Sequence, residues 1–423
     1  MKKEINFGIG FITGRPNICQ IINNYYKHLL EQVECLDAKV NFTIFILYDL
    51  TYQFTTRIDF YGILPEVYKN INIKYITPEA IDEDKKKIMS KFDISKEDAD
   101  LLLGKGYAKA RNTIMYYALK RKIDYLLFWD DDEYPLACMK DEKGKVIWKK
   151  QKNVIDHVRY IQNENATITR GWHCGYISPI PYIKYNDEVS EDDVKDFIEA
   201  ISNEAVTWES IKEIFEKDGG VTFANPTLAN GEGAFEITNE TGAKWVAGST
   251  ICLNLNEIEK IPAFYNPPGA RGEDTFFSVL LDDAKVVRIP MYHFHDGFLK
   301  YTGIMNNVLP TKLKRIDNDE ESIGPRFFKA STGWIKYKPL LMYIQDKENY
   351  AERIAVAKSK LRNSAEKIDG LFENSDFTLL PGILEEYDRN VDGTTSATTN
   401  YVIGDLIESG STDCGSRLPS GYT

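Results

Sequence analysis

The chain has 423 residues, of which 43% are hydrophobic and 27% charged, and its formal net charge is −12. This is the make-up of a soluble globular protein with room for two to three domains, and its acidity excludes a general attraction to nucleic acid or anionic membrane. The charge is uneven, because residues 187–218 hold twelve acids against three lysines, a net of −9, which leaves the rest near −3.

The apolar alternation over 5–13 predicts a first strand, ending in the turn Gly14-Arg15-Pro16. Helical spacing of Ile18, Ile21, Ile22, Tyr25 and Leu29 predicts a helix over 18–33. The run FTIFILY predicts a buried strand over 42–48, followed by Asp49, and 71–76 reads as a shorter strand. A charged helix is expected over 85–103 and an amphipathic one over 107–121, with Ala110, Ile114 and Ala118 facing inward.

Further along, 140–150 reads as a small hairpin, 154–161 as a helix and 166–172 as a strand. The acidic segment has helical periodicity around Phe197, Ile198, Ile201, Ile211, Ile214 and Phe215, and is expected as an inserted helical pair. Strand character returns over 245–255, a loop runs into a helix over 271–281, and 286–295 is a strand. Residues 301–387 are mainly helical, and 390–423, rich in Thr, Ser and Gly, read as a flexible tail. Strands alternating with helices imply an α/β fold with a mostly parallel central sheet.

Six scattered cysteines (Cys19, Cys35, Cys138, Cys174, Cys252 and Cys414) form no CxxC pair, which favours a reducing compartment over a disulfide framework or zinc site. The N-terminal MKKEINFGIG lacks the apolar core of a signal peptide. No window approaches the roughly 18 apolar residues of a membrane span. The chain reads as cytoplasmic, with peripheral membrane contact left open.

The most informative stretch is IDYLLFWDDDEYP, residues 123–135. An apolar run leads straight into Asp130, Asp131 and Asp132, which reads as a buried strand with carboxylates at its C-terminal edge. Ligands bind at that edge in open α/β sheets. The competing reading is a solvated turn. Upstream, Gly104 and Gly106 expose backbone donors before a helix start, which suits an anion. Arg111 lies one turn into that helix, where an unpaired guanidinium would be costly. A diphosphate or a carboxylate would satisfy it, and an internal ion pair to the aspartates is the alternative.

The stretch GKGYAKARNTIMYYALKRKIDYLLFWDDD, residues 104–132, resembles the nucleotide-binding half of GT-A fold glycosyltransferases, especially the inverting family 2 type. The resemblance implies a Rossmann-like GT-A catalytic region over 1–300, with a nucleotide-binding half over 1–135 and an acceptor and metal half over 240–300; the helical insertion over 185–220 is a departure from the small family 2 pattern. A helical C-terminal lobe over 301–389 and the tail lie outside it.

By this resemblance Asp130 and Asp132 are the DxD pair that holds Mn²⁺ or Mg²⁺, with Asp132 the direct ligand and Asp131 turned towards the donor; a one-residue register error would exchange these roles. Gly106, Arg111 and Asn112 line the diphosphate side. Thr13 and Asp49 match positions that hold the base of a UDP- or GDP-sugar, and Arg15 is added as a phosphate or base contact; turn chemistry explains these three equally well. Gly272-Glu273-Asp274 is similar to the family's acidic motif, with Asp274 as catalytic base and Glu273 in support; the alternative is an ordinary acidic helix N-terminus. His293 and His295, in MYHFHDGF, match the histidine that completes the metal site, with His293 favoured. Trp172, Trp245 and Tyr265 are core aromatics first and sugar-stacking groups second.

The implied activity is metal-dependent transfer of a sugar from a nucleotide-diphosphate sugar to a hydroxyl of a glycan or glycoconjugate, with inversion. A retaining enzyme with the same metal site and a non-catalytic sugar-binding module are the alternatives. A nucleotidyltransferase would need a longer Gly- and Arg-rich loop after the first strand than Gly14-Arg15-Pro16. Polysaccharide assembly enters by fold-level analogy alone.

Overall fold

The computed structural model describes residues 3–176, 179–203, 206–239, 242–372 and 376–391. The expected flexible tail lies outside them from residue 392 onward.

The first half supplies strands β1 (Lys3–Thr13), β2 (Ala38–Tyr48), β3 (Asn72–Ile76), β4 (Tyr125–Phe128) and β5 (Glu133–Tyr134), then the hairpin of β6 (Leu136–Lys140) and β7 (Val146–Lys150). The second half adds β8 (Ile168–Tyr176), β9 (Val221–Thr222), β10 (Phe235–Glu236), β11 (Ile251–Asn254) and β12 (Val286–His295). Among them run helices α1 (Ile18–Val33), α2 (Pro65–Tyr68), α3 (Pro78–Phe92), α4 (Lys96–Leu102), α5 (Tyr107–Lys120) and α6 (Ile155–Glu164). The acidic segment forms α7 (Glu191–Ile201) and α8 (Trp208–Asp218), followed by α9 (Pro226–Ala229) and α10 (Glu273–Val279). The chain's helical end holds α11 (Ile323–Gln345), α12 (Tyr350–Asp369) and α13 (Leu380–Arg389).

The main sheet runs β10-β12-β8-β11-β4-β1-β2-β3, with β5 added to β12 and β9 to β8. Neighbours from β3 to β4 are parallel, as are β8 and β12. Strand β11 enters antiparallel to both β4 and β8. This reversal leaves β8 and β12 pointing the same way as β1, β2 and β4. The C-terminal ends of those five strands therefore share one edge, where ligands gather in such sheets.

The sheet is buried on both faces, which is why its strands read as near-continuous apolar runs. In β4, Tyr125 and Leu127 join the layer under α1, whereas Leu126 and Phe128 pack with Ala110, Ile114 and Ala118 of α5.

Two expected elements differ. The single helix over 85–103 is two, because Asp93 turns left-handed at φ 51 and Ser95 caps a new start through the Asp98 amide. The strand over 245–255 shortens to β11, because residues 245–249 leave the sheet: the Trp245 carbonyl accepts from Arg170 and the Gly248 amide donates to Asp274.

The acidic insertion is not isolated from the helical end. Helix α7 packs along α12 and against α11. Its buried Phe197 meets the rings of Phe327 and Phe377, and its acids face lysines: Asp193 pairs with Lys367 at 2.7 Å, and Lys360 bridges Asp196 and Glu199. Lys338 of α11 donates to the Glu199 and Ser202 carbonyls that end α7.

Candidate functional site

Strand β4 ends at the point where Trp129 donates its amide to the Gly10 carbonyl at 3.1 Å, and the chain then turns through the three aspartates before rejoining the sheet as β5. The tight turn sends the carboxylates in different directions. Asp130 is crowded by protein, yet 40% of its side chain is open. Burial pushes its carboxyl well above the usual range; Arg111 opposes this, and Glu133, Asp132 and Asp131 add to it.

Asp131 turns inward, bonded to the Thr13 hydroxyl and to Arg15 Nη1 at 2.5 Å. Burial lifts it to about 6 against the pull of Arg15. Asp132 sits 3.1 Å from the same Arg15 nitrogen and 3.8 Å from His295 Nε2. Burial lowers the Arg15 pKa, but Asp131 and Asp132 outweigh it and hold the guanidinium firmly charged.

Across the cleft, α5 carries Arg111 against α10. Its Nε donates to Glu273 at 3.2 Å, its Nη2 lies 3.9 Å from Asp130, and its Nη1 is buried without a partner. The guanidinium lies over the rings of Phe128 and Phe264. A Cβ at Gly248 would come within 2.5 Å of Nη2, so a larger residue here would force the guanidinium or the loop to shift. Burial and Asp274 together push Glu273 up, against Arg111. Asp274, on the first turn of α10, accepts from the Gly248 amide at 3.1 Å and the Thr275 amide at 2.9 Å, which orients its carboxylate.

The histidines divide by depth. His293 is fully buried, its Nδ1 3.1 Å from Glu133 and its ring against Trp129. His295 lies one pleat nearer the edge. Its Nδ1 donates to the Tyr176 carbonyl at 2.7 Å, which leaves the neutral ring with an Nε2 lone pair facing Asp132. The structure thus sets His295, rather than the favoured His293, beside the acid.

Glu133, His173 and Ser249 were not singled out in the sequence. The buried Glu133 carboxylate accepts from His173 Nε2 at 2.9 Å, from His293 and from the Ser249 hydroxyl, tying β5 to β8, β12 and the loop before β11. Burial would raise Glu133, but the two imidazoles hold it well below the usual range. Burial also keeps His173 below its ordinary value, so a neutral ring donates. His173 meets both Ser249 and Glu133 through Nε2, so the three cannot relay a proton as a nucleophilic triad. The only available signal was an acid directly after the aspartates.

On the expected nucleotide side, Asp49 accepts from Thr51 and from Lys105, which stands between the two glycines. Burial raises its carboxyl, but these donors win and hold it below the usual range. Gly106 starts α5 at φ 108 with open space where a Cβ would be, so the backbone angle is what calls for glycine. Part of that helix start is already capped, since Ala108 donates to Asn266. Asn112 is fully buried and bonds in both directions to the Phe264 backbone at 2.9 Å. It fixes the loop before α10, and these two bonds use one of its amide hydrogens and one of its carbonyl lone pairs. Thr13 likewise commits its hydroxyl to Asp131 and Arg15. Trp172 lies under Arg288, and Tyr265 packs edge-on to Phe276.

Among the described residues no three His, Cys, Asp or Glu side chains stand ready around a metal, and no helix is long and apolar enough to cross a membrane. Asp132 and His295 still form a fitting pair: a carboxylate and an imidazole lone pair facing each other can share a hard divalent ion, which completes its shell with phosphate and water.

No protein-family model and no curated protein sequence matches the chain. Among solved structures, mouse xyloside xylosyltransferase 1 in its apo form is similar at 8% identity over 61% of this chain and 69% of that one, with a TM-score of 0.25.

Proposed function

We propose that the protein is a GT-A-like glycosyltransferase that moves a sugar from a UDP- or GDP-sugar to an acceptor hydroxyl with inversion. The observation that carries this reading is the convergence, on one sheet edge, of the Asp132–His295 pair with the oriented carboxylate of Asp274. Asp132 and His295 would hold Mn²⁺ or Mg²⁺, which supplies Lewis-acid neutralisation of the leaving diphosphate.

The chain's own residues do the rest. Arg15 neutralises Asp131 and steadies Asp132. Arg111 keeps Glu273 and Asp130 from repelling Asp274 out of place. Asp274, held by two backbone amides, takes the proton from the acceptor hydroxyl as its oxygen attacks the anomeric carbon and the nucleotide departs.

The test is a screen of UDP- and GDP-sugars with Mn²⁺, scored by nucleotide release and by NMR of the product's anomeric configuration. Release with an inverted product supports the reading. A retained configuration removes Asp274 as base, and nucleotide binding without release on any donor points to a sugar-binding module.

A further inference from the structure

Arg15 and Arg111 are matched by carboxylates. Two other arginines are not. Arg170 of β8 and Arg288 of β12 are register partners on adjacent parallel strands, so their side chains leave the same face of the sheet about 4.8 Å apart at the backbone. Arg170 donates to the Trp245 carbonyl at 2.8 Å, and the Arg288 Cζ lies 3.4 Å from the centroid of the Trp172 ring. The Nε of each is buried with no hydrogen-bond partner among the described residues.

Burial lowers both arginines. Among the described residues Asp274 is the one carboxylate that counters this at Arg170, while Arg288 feels Arg170 as a further repulsion and only the Tyr292 phenol against it. A guanidinium does not shed its proton to relieve such crowding. Two like charges side by side with unmade hydrogen bonds are costly unless an anion joins them. Both residues keep part of their surface open, and the half-exposed Phe235 stands beside Trp172 at the same place. The segment whose Trp245 carbonyl accepts from Arg170 also carries the Gly248 amide that holds Asp274.

We propose that Arg170 and Arg288 form an oxyanion subsite that receives a carboxylate or phosphate group of the acceptor, placing a charged acceptor next to Asp274. The subsite stands on the arginine pair alone; its assignment to the acceptor rests on the reading of Asp274 as base. Planar guanidinium forks suit either oxyanion.

The test is calorimetric titration of the full chain with inorganic phosphate, D-glucuronate and, as a neutral control, D-glucose, at constant ionic strength. Phosphate or glucuronate binds and glucose does not; Arg288→Gln weakens the anion about tenfold or more, and Arg288→Lys retains part of the affinity. Equal binding by wild type and Arg288→Gln, or none by wild type, overturns the subsite. Repeating the titration with UDP and Mn²⁺ at saturation tests the assignment: binding that persists supports an acceptor group, and binding that vanishes hands the anion to the donor diphosphate and overturns it. Anion binding that survives while no sugar nucleotide turns over would sink the proposed activity and leave the subsite standing.

Discussion

Helix α7 meets α12 acid against base, whereas at the sheet edge carboxylates crowd together and, among the described residues, Arg170 has Asp274 alone to counter its burial and Arg288 has no carboxylate. In the helical region three acids of α7 have a nearby opposite on α12: Asp193 with Lys367, Asp196 and Glu199 with Lys360. There the acidity of the sequence is a packing device, neutralised when the C-terminal helices dock. At the sheet edge Asp130, Asp131, Asp132, Glu133, Glu273 and Asp274 come together around Arg15 and Arg111, and Asp130, Asp131 and Glu273 are pushed upward, by burial first and by their acidic neighbours second. Charge that the fold balances internally holds helices together. Charge left out of balance marks where a ligand has to finish the job.

The sharpest way to break this contrast is to remove single carboxylates at the edge. Asp274→Asn should cut transfer by about 10²–10⁴-fold while leaving nucleotide binding unchanged, as expected of a lost general base. Asp132→Asn should abolish both transfer and Mn²⁺-dependent nucleotide binding, measured by calorimetry with UDP. Equal loss of nucleotide binding in the two variants would show that the roles are assigned wrongly.

Gly248→Ala has a smaller expected effect. Its Cβ would collide with an Arg111 guanidinium that already lies over Phe128 and Phe264, so the loop or the arginine must move. A stability loss of about 1–3 kcal/mol is expected by denaturant titration, together with reduced transfer because Asp274 loses its amide donor. A fully active, equally stable variant would show that this clamp is dispensable.

The smallest effect belongs to the balanced region. Lys367→Met should cost less than about 1 kcal/mol, as partly exposed pairs do. Lys367 lowers the folded-state pKa of Asp193, so the pair's contribution is complete above the unfolded carboxylate value of about 3.9 and is lost as pH falls through the folded value. The stability difference between wild type and variant should therefore shrink on acidification, and one that grows would contradict the pairing.

Much of the fold was legible because its strands are buried on both faces. The helix over 18–33 and the strand over 286–295 fall where periodicity sets them. The reversal of β11 was not legible, since apolar alternation carries no direction and WVAGSTI reads as strand even where the backbone leaves the sheet to reach Arg170 and Asp274. At the site, runs of local chemistry drew attention to the aspartates and to Gly272-Glu273-Asp274. The long-range partners did not announce themselves. Asn112 entered as a donor contact through the resemblance of its Ala-Arg-Asn helix start, and the bonds it makes run to a backbone segment 152 residues away. Glu133 finds its partners 116 and 160 residues on, and the meeting of Arg170 with Arg288 depends on strand register alone.

The short pairing of β5 with β12 has a consequence for engineering. Glu133 lies opposite His295, and the Asp296 amide donates to the Asp132 carbonyl at 2.9 Å. The spacing between Asp132 and His295 is thus set by main-chain hydrogen bonds and survives a change of side chain. Exchanging these two side chains for softer or harder donors is therefore a way to test the proposed ion site and its preference without disturbing the scaffold.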